Sequence, residues 1–261
     1  MHLLSKANIR FRRHEVLAYL FNIIKPHSSG QVRVVIFAQG RTGSTLLESL
    51  LCSTGHFFKY GELLNNDSGK NEVIFPTQYI RGLSKWESDS NFIFHVKIYH
   101  LTRDRKRPVD PKIFLDTLYN DGFKVIFLRR NNLVRHVLSN LVAQQRGSYE
   151  KLDDEKENLK IVVDCKMFPE AVKERIRFGE EERMVLTNIN FHEVVYEDDL
   201  ERSNTHQKTI DKILDFLSLE EREVKTKHRK VNTTPLEELI SNYDEFLDCI
   251  QTYGWEDFLD K

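Results

Sequence analysis

Residues Arg33 to Leu51 read RVVIFAQGRTGSTLLESLL, and the way this stretch divides decides the fold. Val34 to Phe37 is a run of β-branched and aromatic residues, the composition of a buried strand. Gln39-Gly40-Arg41-Thr42-Gly43 is the turn. Ser44 and Thr45 open a helix in which Leu46, Leu47, Leu50 and Leu51 recur at helical spacing, with Gly55 as its stop. Strand, glycine turn, hydroxyl pair and helix together are the layout of an anion cradle. Glycines let backbone N–H groups close on a phosphate, the helix N-terminus adds partial positive charge, and hydroxyls add donors. The competing reading is a plain strand–turn–helix that binds nothing. The nucleotide-kinase loop G-x-x-x-x-G-K-[ST] is absent, because Gly43 passes directly to Ser44 and the cation, Arg41, sits inside the turn. No G-x-G-x-x-G occurs either.

Outward from this stretch, apolar runs alternate with helical patterns. Residues 5–25 read as a helix and Pro26 to Gly30 as a linker. Phe57 to Leu64 is a short segment, and Val73 to Leu83 is apolar but ambiguous because Pro76 interrupts it. Phe92 to Tyr99, Phe123 to Leu128 and Asn190 to Tyr196 read as further strands. Helices are expected over 111–120, 133–145, 168–186, 209–219 and 235–252, and a charged exposed segment over 148–158. This order predicts an α/β fold: a P-loop-type open parallel sheet flanked by helices, with an N-terminal helix. Ligands of such sheets bind at the carboxyl ends of the strands. Residues 1–30 divide off as N-terminal helix and linker, and 31–261 as the main domain.

Several residues cluster at those strand ends. The run Phe123 to Leu128 enters Arg129-Arg130, and Ser139 follows nine positions after Arg130, two turns into the next helix. An arginine clamp and a serine donor can there converge on one anion, with Arg129 as the alternative clamp. Lys97 and His100 end another strand. If the strand ran on through both, they would face opposite ways, so they act together only if it has already ended. Glu62 lies among Phe57, Phe58, Leu63 and Leu64, an apolar setting expected to raise its pKa toward that of a general base.

The loop form R-[ST]-G-[ST]-[ST]-L-L resembles the 5′-phosphosulfate loop of sulfotransferases that use PAPS (3′-phosphoadenosine 5′-phosphosulfate). The arginine–serine spacing resembles the 3′-phosphate site of their bacterial carbohydrate-type branch, the trehalose and nodulation-factor kind. Tyr196-Glu197-Asp198-Asp199-Leu200 resembles the family's Y-E-D-L segment with one extra residue. The resemblance implies a sulfotransferase domain over most of 32–250. It implies PAPS held by Arg41, Thr42, Gly43, Ser44, Thr45, Arg130 and Ser139, with PAP as product and no metal required. Tyr196 would lie near the adenine, or else be an ordinary core tyrosine. Arg229 or Lys230 would lie near the 3′-phosphate, although that stretch reads mainly as a solvated charged loop. Glu62 is the implied base, and His100 the runner-up, because Lys97-Ile98-Tyr99-His100-Leu101 resembles a K-T-H-L segment. Lys97 would donate to the sulfuryl group. The implied acceptor is a hydroxyl on a glycan or glycolipid. The alternatives are a P-loop nucleotide kinase and a non-catalytic nucleotide-binding module.

Composition narrows the setting. A chain of 261 residues supports a sizeable core. A net charge of −1 gives no reason to expect non-specific nucleic-acid binding. Cys52, Cys165 and Cys249 form no C-x-x-C pair, which suits a reducing compartment and argues against a structural zinc site. No run reaches the roughly 18 apolar residues of a membrane span. Val16 to Ile24, behind Arg10, Arg12 and Arg13, is interrupted by Asn22 and lacks a small-residue cleavage site. A cytoplasmic protein is expected, its N-terminal helix packed on the domain or, alternatively, attached to a membrane surface. A homo-oligomer is left open.

Overall fold

A computed structural model describes residues 6–66, 72–147, 160–225 and 235–259, with the backbone alone for 6–9. Five strands, β1 (Arg33–Ala38), β2 (Phe57–Lys59), β3 (Asn91–Val96), β4 (Lys124–Arg129) and β5 (Phe191–Val195), form one all-parallel sheet. Their order is β2-β3-β1-β4-β5, so the strand that feeds the glycine turn is central. Arg33 pairs with Phe92 on one side and Ala38 with Leu128 on the other, which levels the carboxyl ends of β3, β1 and β4.

The ten α-helices of the described residues are α1 (Lys6–Ile24), α2 (Ser44–Ser53), α3 (Pro76–Trp86), α4 (Ile98–Leu101), α5 (Pro111–Asn120), α6 (Leu133–Arg146), α7 (Phe168–Val185), α8 (His206–Phe216), α9 (Leu236–Leu239) and α10 (Tyr243–Tyr253). The two-residue period of a strand sorts them into layers. Val34, Ile36 and Ala38 face α2 and α8, packing on Leu47, Leu50, Ile210 and Ile213. Val35 and Phe37 face the opposite layer, with Phe92, Phe94 and Phe127 and the α3 and α5 residues Ile80, Phe114 and Leu118. Strands covered on both faces read as continuous apolar runs, which is why β1 and β4 stand out in the sequence.

Three boundaries differ from expectation. Pro76 does not interrupt α3 but starts it, as a proline tolerates the first turn, where its missing N–H costs nothing. The helix expected over 235–252 is two helices, because Ile240 leaves helical geometry to bridge Ile161. Tyr99 is not in a strand: β3 ends at Val96 and α4 is a single helical turn. The charged segment expected over 148–158 lies outside the described residues, as do Arg229 and Lys230. Among the described residues no helix is long and apolar enough to cross a membrane.

Candidate active site

The turn after β1 folds through two left-handed residues, Arg41 (φ 69°) and Gly43 (φ 93°). The second is a natural place for glycine. The first is costly for a side-chain-bearing residue, by about 1–3 kcal/mol, and such strain persists only where the surroundings enforce it. Those surroundings are visible. His136 Nε2 lies 2.6 Å from the Gly40 carbonyl, which fixes the ring with Nε2–H donating. Thr42 Oγ1 donates to the Gln39 carbonyl at 2.7 Å. Burial, then the Arg175, Arg130 and Arg41 charges, hold His136 well below the usual histidine range, so it pins the loop as a neutral ring.

The two glycines do different work. Gly40 was expected to offer its N–H to an anion. It donates instead to Tyr99 Oη at 2.9 Å, and its missing side chain makes room for Tyr99 and Lys97. Gly43 makes room for the Tyr196 ring: a Cβ there would stand 2.9 Å from it. The first-turn N–H groups of α2, among them those of Ser44 and Thr45, have no helix carbonyl to satisfy them and point where an anion would sit at a helix N-terminus.

Arg41 Nε donates to Ser139 Oγ at 3.3 Å, so the two residues read as separate anion contacts meet directly. Ser139 reaches the loop because it lies one turn beyond His136 on the same face of α6. Arg130 stacks 4.6 Å above the Tyr196 ring, and its Nε donates to Glu197 at 3.2 Å. Glu197 also accepts the N–H groups of Asn131 and Asn132, at 2.9 and 3.0 Å, and so shapes the β4–α6 turn. Arg129 turns away and pairs with Glu193 on β5 at 2.8 Å. Arg130 is therefore the arginine on the side of Gly43 and Tyr196. Burial raises the Tyr196 phenol against the opposing Arg130 charge. Asp199, the residue left over in the resemblance to Y-E-D-L, lies in a π-helical turn over Tyr196–Leu200, whose wider turn holds one more residue than an α-turn.

The second part of the site lies across β3. Glu62 Oε1 is 2.7 Å from Lys97 Nζ and 3.4 Å from His95 Nε2, and Glu62 Oε2 accepts from Asn65 at 2.7 Å. His100 Nε2 is 3.8 Å from Oε2. Lys97 and His100 converge because the strand has ended before them and α4 turns His100 back. The Glu62 side chain is 23% exposed, while that of His100 is 0% exposed. Burial, with help from Lys97, lowers the His100 imidazole to about 3 despite the Glu62 charge. A neutral, enclosed His100 lies beside Glu62.

The raised Glu62 pKa expected from its apolar neighbours is not found. Burial does push it up, but the His95 contact and the Lys97 charge outweigh burial and hold it well below the usual carboxylate range. Its flanking residues point elsewhere: Phe58 is exposed, Phe57 packs beneath α2, and Leu64 joins the opposite core.

Two residues of this site, Glu48 and His95, were not singled out in the sequence. Glu48 of α2 is fully buried; one oxygen accepts the Gly61 N–H at 2.7 Å and the other lies 3.7 Å from His95 Nδ1. Glu48, His95 and Glu62 thus form a file running from the core to the site. The signal was present. Glu48 stands four residues after Ser44 and three before Leu51, on the buried stripe of α2, where an ionisable group needs a partner. Behind the cradle, a cavity of about 270 Å³ between β4, α6 and α7 is lined by Gln39, His136, Arg175 and Glu182 among others. Gln39 Nε2 donates to Glu182 at 3.0 Å, and burial raises the Glu182 carboxyl to about 8.

No protein-family model matches the chain, and no curated protein matches it. One solved structure, from work on the PezAT chromosomal toxin–antitoxin system of Streptococcus pneumoniae, aligns over 100% of both chains at 13% identity. Its TM-score of 0.26 is too low for it to bear on fold or function.

Proposed function

We propose that this chain is a PAPS-dependent sulfotransferase that transfers a sulfuryl group to a hydroxyl acceptor. The observation that carries the reading is the position of Lys97. Its Nζ is 2.7 Å from Glu62 and 3.5 Å from the place a Cβ would occupy on Gly40, so one cation joins the anion cradle to a carboxylate. Transfer of an anionic group to a hydroxyl needs that pairing: positive charge where the group passes and a base beside it.

The residues fit the two-phosphate nucleotide. The first turn of α2 and Arg41 suit the 5′ side. Arg130 and Ser139 suit the 3′-phosphate, and Tyr196, packed between Gly43 and Arg130, suits a purine ring. PAPS when bound supplies the activated sulfuryl group. Glu62 would take the acceptor hydroxyl proton as that oxygen bonds to sulfur and the bond from sulfur to the 5′-phosphate oxygen breaks, releasing PAP. Lys97 faces the charge that builds on the transferring oxygens. His95 and Asn65 hold the Glu62 carboxylate in place, and His100 closes its inner side. A glycan or glycolipid acceptor and a cytoplasmic setting belong to the same reading.

Calorimetric titration with PAP and with 5′-ADP, each with and without magnesium, tests it. Tighter, magnesium-independent binding of PAP is expected. A preference for 5′-ADP with magnesium would replace this reading with a kinase, and binding of neither would leave a non-catalytic module.

A further inference from the structure

α1 carries apolar side chains on two sides. Its inner side is occupied: Ala18 is fully buried at a crossing with α3 so close that only Gly82 fits beneath the Ala18 carbonyl. Glu15, the one carboxylate of α1, also turns inward, bonded to Arg12, Tyr19 and the Ile74 N–H. The outer side presents Val16, Leu17, Leu20, Ile23 and Ile24, from 41% to 79% exposed. At the pitch of an α-helix these five positions fall within about 120° of arc. Single exposed apolar residues are ordinary, but five on successive turns of one helix form a contiguous surface that calls for a partner.

Charge identifies the partner. Arg13 lies in the middle of the same arc, one turn before Val16, with Arg10 at its edge; both are exposed. The face therefore passes from basic to apolar along the helix and carries no carboxylate. Pairing with a second copy would supply no counter-charge to the arginines. A layer of anionic headgroups over acyl chains supplies both what the arginines need and what the aliphatic side chains need.

We propose that the outer face of α1 docks on the surface of an anionic lipid bilayer, with Val16, Leu20, Ile23 and Ile24 entering the acyl boundary and Arg10 and Arg13 lying among the headgroups. The helix is already formed and seated on α3, so docking requires no coupled folding. This inference stands independently of the sulfotransferase reading.

The test is co-sedimentation of the full chain with vesicles of phosphatidylcholine alone and of phosphatidylcholine mixed with phosphatidylserine. The wild-type chain is expected to pellet with the mixed vesicles. Binding should weaken by about tenfold or more in the Arg10→Ala/Arg13→Ala variant and on raising the salt, and be lost in Leu20→Glu/Ile23→Glu. Both variants should keep the wild-type circular dichroism spectrum and melting temperature, which separates loss of docking from loss of fold. A wild-type chain that stays in the supernatant with mixed vesicles would overturn the proposal. So would a dimer in solution that Ile23→Glu dissociates, which would assign the face to a second copy.

Discussion

Lys97 and Glu62 meet at 2.7 Å although they leave different strands, and the His95 contact together with the Lys97 charge holds the carboxylate ionised well below its ordinary range. For a base this means the reactive form is present across neutral pH. The acid limb of kcat/KM is expected below the ordinary glutamate value of roughly 4.3. Lys97→Ala should move that limb to higher pH, because one of the two partners that outweigh burial is lost. Glu62→Gln should lower kcat by about 10²–10⁴-fold while PAP still binds. Retention of near-normal turnover in Glu62→Gln would remove the base assignment.

The contact between Arg41 and Ser139 changes what their variants should do. Ser139→Ala removes a partner of Arg41, so it should weaken both PAP and 5′-AMP. Arg130→Ala should weaken PAP more than 5′-AMP, because the 3′-phosphate is lost as a partner in addition to any change at the Tyr196 ring that both nucleotides share. Calorimetry with the two nucleotides distinguishes them. Equal losses for Arg130→Ala would show that Arg130 does not read the 3′-phosphate.

Glu48 is the inner anchor of the site. Glu48→Ala leaves the Gly61 N–H without its acceptor, and a loss of about 1–3 kcal/mol is expected in urea unfolding. Glu48→Gln keeps an acceptor and should recover most of that loss.

Glu182 predicts a stability that falls with rising pH. Burial lifts its carboxyl to about 8 in the folded chain, so the native state binds a proton that the unfolded state releases near 4.5. Stability from this group therefore declines from about pH 4.5 to about pH 8. Glu182→Gln mimics the protonated side chain. Its melting temperature should match the wild type near pH 5 and exceed it near pH 8.5; equal melting temperatures at both would refute the assignment.

Gly82 sets the seat of α1. Any Cβ there meets the Ala18 carbonyl, so Gly82→Ala must push the helices apart, at a cost of about 1–3 kcal/mol or more. Chemical denaturation measures the loss, and faster proteolysis of α1 would locate it.

The sequence by itself determined the strand–turn–helix of 33–51, the apolar runs that became β1, β3, β4 and β5, and the cations Arg41, Lys97 and Arg130 at strand ends. These are legible because burial on a sheet face and a helix stripe impose periods of two and 3.6 on neighbouring residues. Only the tertiary structure decided which of those residues meet. The order β2-β3-β1 lays Gly61 beside His95, whose N–H bonds the Gly61 carbonyl at 3.1 Å, and so delivers Glu62 to Lys97 and His95 to Glu48. The end of β3 at Val96 turned Lys97 and His100 from opposite faces to one carboxylate. The sign of the Glu62 shift followed from those partners, which come from elements distant in the chain, and not from its sequence neighbours, whose side chains pack elsewhere. Local periodicity records whether a residue is buried; the charge it meets there depends on sheet order and register.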